Sequence, residues 1–428
     1  MTSIDLGPFP DADGYEEALD LDSDDDLAGH RSKYLSTDPD LIYLDGNSLG
    51  RPPAGAADRL HEVVAEEWGD RLIRAWNYGW WDLQLRLGDK LAPLVGAGPG
   101  EVIISDSTSV NLFKLARAAT AAAPVDRDRI VTDDLNFPSD VYVLDSVASE
   151  TGRTLDIVPS DGINGPVDRL AEAIDERTAL VSLSHTVFQS GYTYDLAAIT
   201  GLAHEAGALV LWDCSHSVGA VPIDFETAGV DLAVGCTYKH LNGGPGAPAF
   251  LYVRRSLQDE LTNPIAGWWS HAQPFALDLT YQPVSGIRRF HTGTMPILSL
   301  SAIEPGLDDV ISATVPAIRS KSEKLGEYLM AQHESHLTPL GFTLASPSDS
   351  ARRGSHLSLR HPRAWPIDLA LIDRAKVIPD FRGPDTLRLG LSALYTTFVE
   401  IHTAVQRIAQ VVNEGVYQEY TNVKATVT

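Results

Sequence analysis

A lysine lies between a short apolar segment and a glycine-rich one in the sequence DLAVGCTYKHLNGGPG at residues 231–246. The apolar residues before Lys239 are too few for one face of a helix, and the glycines after it allow the backbone to approach a ligand closely. An amine held at such a place can lose its hydration and act as a nucleophile. Most lysines lie on protein surfaces, so Lys239 alone is weak evidence for a functional site.

A carboxylate ends a second apolar segment, GALVLWD at residues 207–213. Nearly continuous apolar runs are typical of buried parallel strands, and ligands bind outside the carboxyl ends of such strands. The residues between Asp213 and Lys239 suffice for one crossover connection, so we expect the two side chains to meet in one crevice. Without Lys239, an N-cap role for Asp213 in the turn that follows would be an equally good interpretation.

This pair of opposite charges suits a cofactor that has a ring nitrogen to protonate and an aldehyde to trap, which points to pyridoxal 5'-phosphate (PLP). The lysine would form the Schiff base, and the carboxylate would hold the pyridinium. Thr108 and Ser109 lie where an apolar segment, residues 102–104, gives way to a serine-rich turn and then to helical spacing. A helix N-terminus binds phosphate through its free N–H groups, although ordinary capping by such a turn is common.

Six segments resemble those of the kynureninases, which are fold type I PLP enzymes of the aminotransferase class V group. They follow the family's order along the chain: YLDGNSLG at 43–50, DSTSVNLF at 106–113, NFPSD at 136–140, WDCSH at 212–216, GCTYKHLNGGPG at 235–246 and LYTTF at 394–398. The first segment and the lysine segment are specific to the family, whereas the phosphate turn is not.

The resemblance implies roles for the residues at matching positions. Lys239 matches the Schiff-base lysine and Asp213 the partner of the pyridine nitrogen, in agreement with the strand-end argument. Tyr238 matches a tyrosine that contacts the cofactor's phosphate and is implicated as proton donor. The further cofactor-binding residues that it implies are Thr108, Ser109, Phe137, Pro138, Ser139, Asp140, Ser184, His216, Trp268 and Thr294. Trp268 and Thr294 match residues that reach the cofactor from the neighbouring subunit, which implies a homodimer with shared active sites.

Two residues are candidates for substrate binding. Arg388 matches the arginine that binds the substrate's α-carboxylate, and Gly390 on the same strand face leaves room for such a group. The alternative is an exposed arginine on an edge strand. Trp76 matches an active-site residue, but aromatic-rich segments such as RAWNYGWWD at 74–82 more often fill a core or a dimer interface.

Structural alternatives exist for two of the cofactor-binding candidates. Phe137 can belong to the core, although an aromatic residue before Pro-Ser-Asp at a turn suits stacking on a flat ring. Without the resemblance, His216 is better explained as a satisfied buried histidine.

The sequence departs from the family's pattern in two places. Family members commonly carry Asn-Tyr or His-Phe where this chain has Val187-Phe188, and the family's GWFGH is GWWSH at residues 267–271. Both places are expected near the substrate pocket, so the departures bear on the choice of substrate more than on the chemistry.

The reaction that the resemblance implies is hydrolysis of the Cβ–Cγ bond of L-kynurenine, or of a ring-substituted kynurenine, to an anthranilate and L-alanine. Lys239 would remove the α proton, and Tyr238 would protonate the β carbon. The ring substitution stays open, and with it a place in tryptophan catabolism, NAD biosynthesis or a secondary-metabolite pathway.

Three alternative functions use the same fold. A class V aminotransferase and a cysteine desulfurase would share Lys239 and Asp213, and a regulatory protein could have kept the fold without the activity. A desulfurase needs an exposed, mobile cysteine, and neither Cys214 nor Cys236 is predicted on such a loop.

The composition indicates a cytoplasmic protein. The net charge of −25 over 428 residues argues against nucleic-acid and anionic-membrane partners. Two cysteines without metal-ligand spacing predict a reducing compartment and no metal site. No apolar segment approaches the length of a membrane span, and the N-terminus is acidic where a signal peptide would be basic. The aspartate-rich residues 20–26 predict a solvated segment or helix start, with a calcium loop as a poor alternative.

Apolar segments alternate with helical spacing from about residue 60 to 300, which predicts an α/β fold with a mainly parallel central sheet and helices on both faces. This pattern and the resemblance together predict the fold type I PLP-dependent transferase fold. We expect a large PLP-binding domain at residues 60–304, a smaller α/β domain at 305–428, and an N-terminal segment, residues 1–59, that joins the small domain. The predicted strands are 102–104, 129–131, 180–183, 209–212, 232–234, 249–253, 356–360 and 387–391, with a long helix near 315–332.

Overall fold

The computed structural model describes residues 12–424. The α-helices of this range are α1 (Ala12–Ser23), α2 (Ala54–Glu62), α3 (Leu83–Leu91), α4 (Thr108–Ala122), α5 (Pro138–Thr151), α6 (Val167–Ala173), α7 (Leu196–Glu205), α8 (Phe225–Ala228), α9 (Ile297–Ala313), α10 (Val315–Gln332), α11 (Ala364–Arg374) and α12 (Phe398–Asn413). The strands are β1 (Ile42–Tyr43), β2 (Val102–Ile104), β3 (Arg129–Asp133), β4 (Thr154–Val158), β5 (Thr178–Ser184), β6 (Leu209–Asp213), β7 (Leu232–Gly235), β8 (Phe250–Val253), β9 (Thr343–Leu344), β10 (His356–Arg360), β11 (Val377–Ile378), β12 (Asp380–Arg382) and β13 (Thr386–Gly390). Short 3-10 and π-helical segments lie between several of them.

A seven-stranded sheet forms the centre of the fold, in the order β2-β8-β7-β6-β5-β3-β4. The strands from β7 to β4 in this order are parallel, and β8 is antiparallel to both of its neighbours. Successive residues of one strand face opposite sides, so Val102 and Ile104 pack in one apolar cluster and Ile103 in another. The two clusters cover the two faces of the sheet, which confirms the predicted α/β architecture.

Each predicted strand of this sheet coincides with an observed one, but the prediction missed β4. This strand pairs with β3 alone at the edge of the sheet, and of its five residues only Val158 is buried. An exposed edge strand needs no apolar run, so the sequence carries no strong signal for it.

A second, antiparallel sheet has the order β12-β13-β10-β9 and contains the predicted strands 356–360 and 387–391. It shares an apolar cluster with α10, α11 and α12, and Ala18, Ile42 and Leu44 from the N-terminal segment pack into the same cluster. The division into domains stays a prediction. Its boundary between 304 and 305 falls inside α9.

The aspartate-rich segment ends a helix and does not begin one, contrary to the expectation of a helix start. Asp22 lies in the last turn of α1, and its carboxylate accepts hydrogen bonds from the backbone N–H groups of Phe398 (2.7 Å) and Val399 (3.0 Å) at the start of α12. Asp25 pairs with Lys321 Nζ at 2.7 Å. The free N–H groups of a helix N-terminus attract carboxylates, and here that helix lies more than 370 residues further along the chain.

Between residues 12 and 424, no helix is both long and apolar enough to cross a membrane.

Candidate active site

A cavity of about 220 Å³ lies beyond the carboxyl ends of the central strands. Its lining residues are Ser48, Thr108, Ser109, Phe137, Ser139, Asp140, Ser184, Phe188, Asp213, Ser215, His216, Tyr238, Lys239, Arg382 and Arg388. Strands β5, β6 and β7 end at the cavity, and α4 and α5 begin there. The structure thus brings together most of the residues that the sequence predicts for the site.

Lys239 lies four residues beyond the end of β7, and its Nζ is 2.9 Å from Nε2 of His216. Burial is the main reason that the pKa of His216 is well below its usual value, and the charges of Lys239 and Arg388 lower it further. His216 is therefore a neutral imidazole, and its Nε2 accepts a hydrogen bond from the lysine. This contact fixes the direction of the Lys239 side chain within the cavity.

Asp213 ends β6, and its Oδ1 accepts hydrogen bonds from the N–H (2.8 Å) and the hydroxyl (2.6 Å) of Ser215. The carboxylate therefore satisfies the turn that follows, as the capping interpretation expected, and it also lines the cavity. The capping interpretation is thus confirmed, and the contact of Asp213 with the ring nitrogen of a cofactor stays a prediction.

The carboxyl group of Asp140 lies against that of Asp213. Burial first, and then the adjacent Asp213, raise the pKa of Asp140 well above its usual value. Its Oδ2 is buried and has no hydrogen-bond partner among residues 12–424. The cavity thus places beside Asp213 a second carboxyl group whose environment favours the protonated form.

Two helix N-termini meet at the cavity. Ser107 caps α4, accepting from the N–H of Val110 at 3.4 Å, and Thr108 is the first residue of that helix. The hydroxyl groups of Ser109 in α4 and Ser139 in α5 are 2.8 Å apart. Convergent helix dipoles with hydroxyl groups between them form a favourable site for a phosphate.

The turn before α4 is held by a buried ion pair that the sequence reasoning did not single out. Asp106 has a left-handed backbone with φ of 47°, and its carboxylate is 2.8 Å from Nζ of Lys114. Lys114 is fully buried and also donates to the carbonyl of Phe290 at 2.8 Å, while Thr292 donates to Asp106 at 3.1 Å. The available signal was a lysine among the apolar residues of a predicted helix.

Arg388 lies on β13 between β12 and β10, and it is 1 % exposed. The alternative of an exposed arginine on an edge strand is therefore wrong. Its guanidinium forms an ion pair with Asp380 and donates to Ser48 Oγ (2.7 Å) and to the carbonyl of Phe188 (2.5 Å). Burial lowers the pKa of Arg388 to about 10, so it keeps its charge near neutral pH.

Comparisons with known proteins agree with this geometry. The family model described as "Kynureninase C-terminal domain" matches residues 318–408. A kynureninase from Pseudomonas fluorescens is 43% identical over 409 residues, which cover 94% of this chain and 96% of the relative. A kynureninase from Burkholderia pseudomallei is 43% identical over 93% of this chain and 95% of its own length. The chain belongs to the kynureninase family.

Solved structures with much lower identity share the fold. A cysteine desulfurase from Escherichia coli has a TM-score of 0.78 at 17% identity, covering 91% of this chain and 99% of its own. A cysteine desulfurase from Thermococcus onnurineus has a TM-score of 0.75 at 18% identity, covering 97% of this chain and 100% of its own. These similarities confirm the predicted fold class and carry no information about the reaction.

The two cysteines argue against a desulfurase. Cys214 is 0 % exposed and Cys236 is 1 % exposed, and burial raises the pKa of both thiols. Buried thiols that stay protonated cannot serve as the exposed nucleophile that a desulfurase needs. The alternative functions considered for the sequence are not favoured.

Four predicted site residues do not line the cavity: Trp76, Pro138, Trp268 and Thr294. Pro138 is exposed as the first residue of α5. Trp268 is 43 % exposed and Thr294 is also exposed, while Trp76 is half-buried. Their predicted roles stay predictions.

The tryptophans of residues 74–82 and 267–271 form one cluster outside the lining of the cavity. The ring centroids of Trp76 and Trp269 are 5.2 Å apart, and Trp81 stacks on Trp269 at 4.3 Å. Trp268 contacts both Trp81 and Trp269, at centroid distances of 6.0 and 4.8 Å. Ser270, where the sequence differs from the family's pattern, lies beside this cluster. Its hydroxyl is 2.9 Å from that of Tyr281.

The sequence reasoning missed three polar residues of the cavity: Ser48, Ser215 and Arg382. Ser48 and Ser215 belong to segments that carry the family resemblance, so their positions were available but were not given roles. Arg382 lies on β12, beside β13, and no motif marked it. Phe188, from the other place where the sequence differs from the family's pattern, also lines the cavity. Its ring meets that of Phe137 edge-on, with the ring centroids 5.1 Å apart.

Proposed function

We propose that this cavity is the active site of a PLP-dependent hydrolase that cleaves the Cβ–Cγ bond of L-kynurenine, or of a ring-substituted kynurenine, to an anthranilate and L-alanine. The observation that carries the proposal is the meeting of Lys239, Asp213 and Arg388 at one cavity in a chain of the kynureninase family. These residues supply an amine, a carboxylate and a guanidinium, which the cofactor and an amino-acid substrate require.

The residues present fit the cofactor. The N-termini of α4 and α5, with Thr108, Ser109 and Ser139, suit its phosphate. Asp213 suits the protonated ring nitrogen, and Lys239 the aldehyde. Buried polar atoms without partners among the described residues, such as Nδ1 of His216, remain available to a polar ligand at this wall. When bound, PLP supplies an electron sink for the bonds broken at the α and β carbons.

The chain's own residues bind the substrate and move its protons. Arg388 binds the α-carboxylate, and Lys239 takes the proton of the α carbon while His216 directs its Nζ. Cys236 and burial raise the pKa of Tyr238, so its phenol keeps a proton that it can deliver to the β carbon. Phe137 and Phe188 supply an apolar wall for the aryl ketone.

The enzyme acts as a homodimer in the cytoplasm under this proposal. Trp268 and Thr294 lie on neighbouring segments, since the N–H of Trp269 donates to the carbonyl of Thr292 at 3.3 Å. Both are exposed, as residues must be that reach into the site of a second subunit. The two cysteines, both free and buried, suit a reducing compartment such as the cytoplasm.

Turnover of kynurenines tests the proposal. The purified holoenzyme is expected to release alanine together with a fluorescent anthranilate from L-kynurenine, 3-hydroxykynurenine or a methylated analogue, and the relative rates rank the ring substituents. Lys239→Ala is expected to abolish turnover and to change the visible absorption of the bound cofactor, whereas the exposed Lys324→Ala is the matched control. Failure of the wild-type enzyme to cleave any of the three substrates contradicts the proposal.

A further inference from the structure

Nearly all N–H groups of the Arg388 guanidinium donate hydrogen bonds to other groups of the protein. Of its five N–H groups, two on Nη2 bind Asp380 and Ser48, and one on Nη1 binds the carbonyl of Phe188. The amide oxygen of Asn47, turned toward the arginine, accepts from Nε at 2.9 Å. One N–H of Nη1 remains, whereas bidentate recognition of a carboxylate takes two.

A second guanidinium lies beside the first and lines the same cavity. Arg382 Nη1 contacts Asp380 Oδ1 at 2.8 Å and the carbonyl of Phe381 at 3.2 Å, and Nη2 donates to Ser48 Oγ at 3.1 Å. Its Nε is buried and has no partner among residues 12–424. Arg382 thus keeps two N–H groups, one on Nε and one on Nη2, that no protein group occupies.

Asp380 and Ser48 hold the two arginines side by side. Asp380 is buried and uses one carboxylate oxygen for each arginine. Ser48 Oγ accepts from both guanidinium groups and donates to Asp380 Oδ2 at 3.2 Å. The antiparallel register of β12 and β13 places Asp380 directly opposite Arg388, so the arrangement follows from the strand pairing.

The positive charges of Arg382 and Arg388 exceed the negative charge of the carboxyl groups around them. Two guanidinium groups face the carboxylate of Asp380, and Asp45 Oδ1 lies 3.9 Å from Nη2 of Arg388. Burial and the charge of Asp380 raise the pKa of Asp368 to about 8 and that of Asp45 to about 7, so neither is a full negative charge at neutral pH. An excess of positive charge around the buried Arg388 favours a compensating anion, which the α-carboxylate of the substrate provides.

We propose that Arg382 is a second substrate-binding residue, which shares the α-carboxylate with Arg388, and that Asp380 is the positioning residue that keeps the two guanidinium groups together. The inference rests on the proposed function, because it assigns the carboxylate end of that substrate. It extends the single-arginine assignment that the family resemblance gives.

Arg382→Gln tests the binding role. One charge-assisted hydrogen bond fewer is expected to raise the KM for L-kynurenine roughly ten- to hundredfold, while kcat changes less than about threefold. Arg360→Gln, on β10 of the same sheet and outside the cavity, is the matched control and is expected to leave both constants unchanged. A KM within about twofold of the wild-type value in Arg382→Gln overturns the inference.

A pair of inhibitors separates carboxylate binding from a structural role. L-Alanine and L-alaninamide differ in whether a carboxylate is present, and their inhibition constants are measured against L-kynurenine. In Arg382→Gln, the inhibition constant of L-alanine is expected to rise at least about fivefold more than that of L-alaninamide. An equal rise in both inhibition constants shows that the arginine only supports the fold of the site, and this result overturns the proposal.

Asp380→Asn tests the positioning role. The amide keeps the size of the side chain but removes the charge that holds both arginines, so the preference for L-alanine over L-alaninamide is expected to fall as it does in Arg382→Gln. An unchanged preference excludes Asp380 from this role. Absence of turnover by the wild-type holoenzyme counts against the proposed function, whereas normal wild-type turnover with an unaffected Arg382→Gln counts against this inference alone.

Discussion

Two carboxyl groups, those of Asp213 and Asp140, lie in contact at the cavity and have different electrostatic environments. Asp213 accepts hydrogen bonds from both donors of Ser215, while deep burial favours the protonated form of Asp140. A protonated Asp140 can donate to the carboxylate beside it, and the pair then carries a single negative charge. Under the proposed function, that charge faces the ring nitrogen of the cofactor.

Asparagine substitutions are expected to affect these two residues unequally. Asp213→Asn removes the charge and is expected to lower kcat by roughly a hundredfold or more. In Asp140→Asn the amide replaces a carboxyl group whose raised pKa favours the neutral, donating form, so kcat/KM is expected to stay within about tenfold of wild type. Steady-state kinetics with L-kynurenine measure both effects, and equal losses in the two variants would show that Asp140 is ionised.

At the scale of elements, α4 depends on the turn that precedes it. Asp106 adopts a left-handed backbone there, and Lys114, two turns into the helix, reaches back to its carboxylate without any exposure to solvent. Burial lowers the pKa of Lys114, and the charge of Asp106 opposes that shift. The ion pair therefore ties the N-terminal end of α4 to the turn that follows β2.

Breaking this pair is expected to destabilise the protein. Lys114→Met leaves Asp106 without its main counter-charge and is expected to cost about 3 kcal/mol of unfolding free energy. The double variant Asp106→Asn/Lys114→Met is expected to recover part of that loss, because neither charge is left unpaired. Urea unfolding of the holoenzyme at saturating PLP measures these values, with Lys324→Met on exposed helical surface as the control. Strictly additive effects of the two substitutions contradict coupling.

At the scale of the whole molecule, one region of the surface exposes large apolar side chains to solvent. Phe275 and Leu277 are 75 % and 82 % exposed, and they follow the cluster that contains Trp268 and Trp81. Contiguous exposed apolar surface of this kind marks an interaction site. The proposed homodimer supplies a partner for it and brings Trp268 toward a second active site.

Charges on this surface are expected to separate the subunits. Phe275→Asp/Leu277→Asp is expected to shift the protein from dimer to monomer in sedimentation velocity, and kcat/KM is expected to fall at least about tenfold as the shared residues are lost. Val125→Asp places the same charge at another apolar residue, 95 % exposed, and is expected to change neither property. A double variant that remains dimeric and fully active contradicts a role for this surface in the dimer.

Much of the site could be predicted because its residues follow strands with strong apolar signals. Asp213 and Lys239 come after β6 and β7, and Thr108 comes after β2. Parallel strands bring their carboxyl ends to one edge whatever the details of packing, so the chain positions of these residues imply that they meet. The site around Lys239 needed only this rule and the family's segments.

Arg382 and Asp380 could not be found in the same way. Their importance comes from a register that sets Asp380 opposite Arg388 and from Ser48, which is more than 300 residues away in the chain. Asp22 gives the same lesson in the fold, since its partner is the N-terminus of a distant helix. Hydrogen-bond partners this far apart leave no local pattern in a sequence.

The sequence by itself determined the α/β fold class, the family, the lysine and its carboxylate, because apolar periodicity and local segments encode strands and the ends of strands. Only the tertiary structure decided the protonation of Asp140 and His216, the ion pair beneath α4 and the sharing of two arginines around Asp380. Burial and charge at a side chain depend on what the rest of the chain packs against it, and that becomes fixed only when the sheets and helices come together.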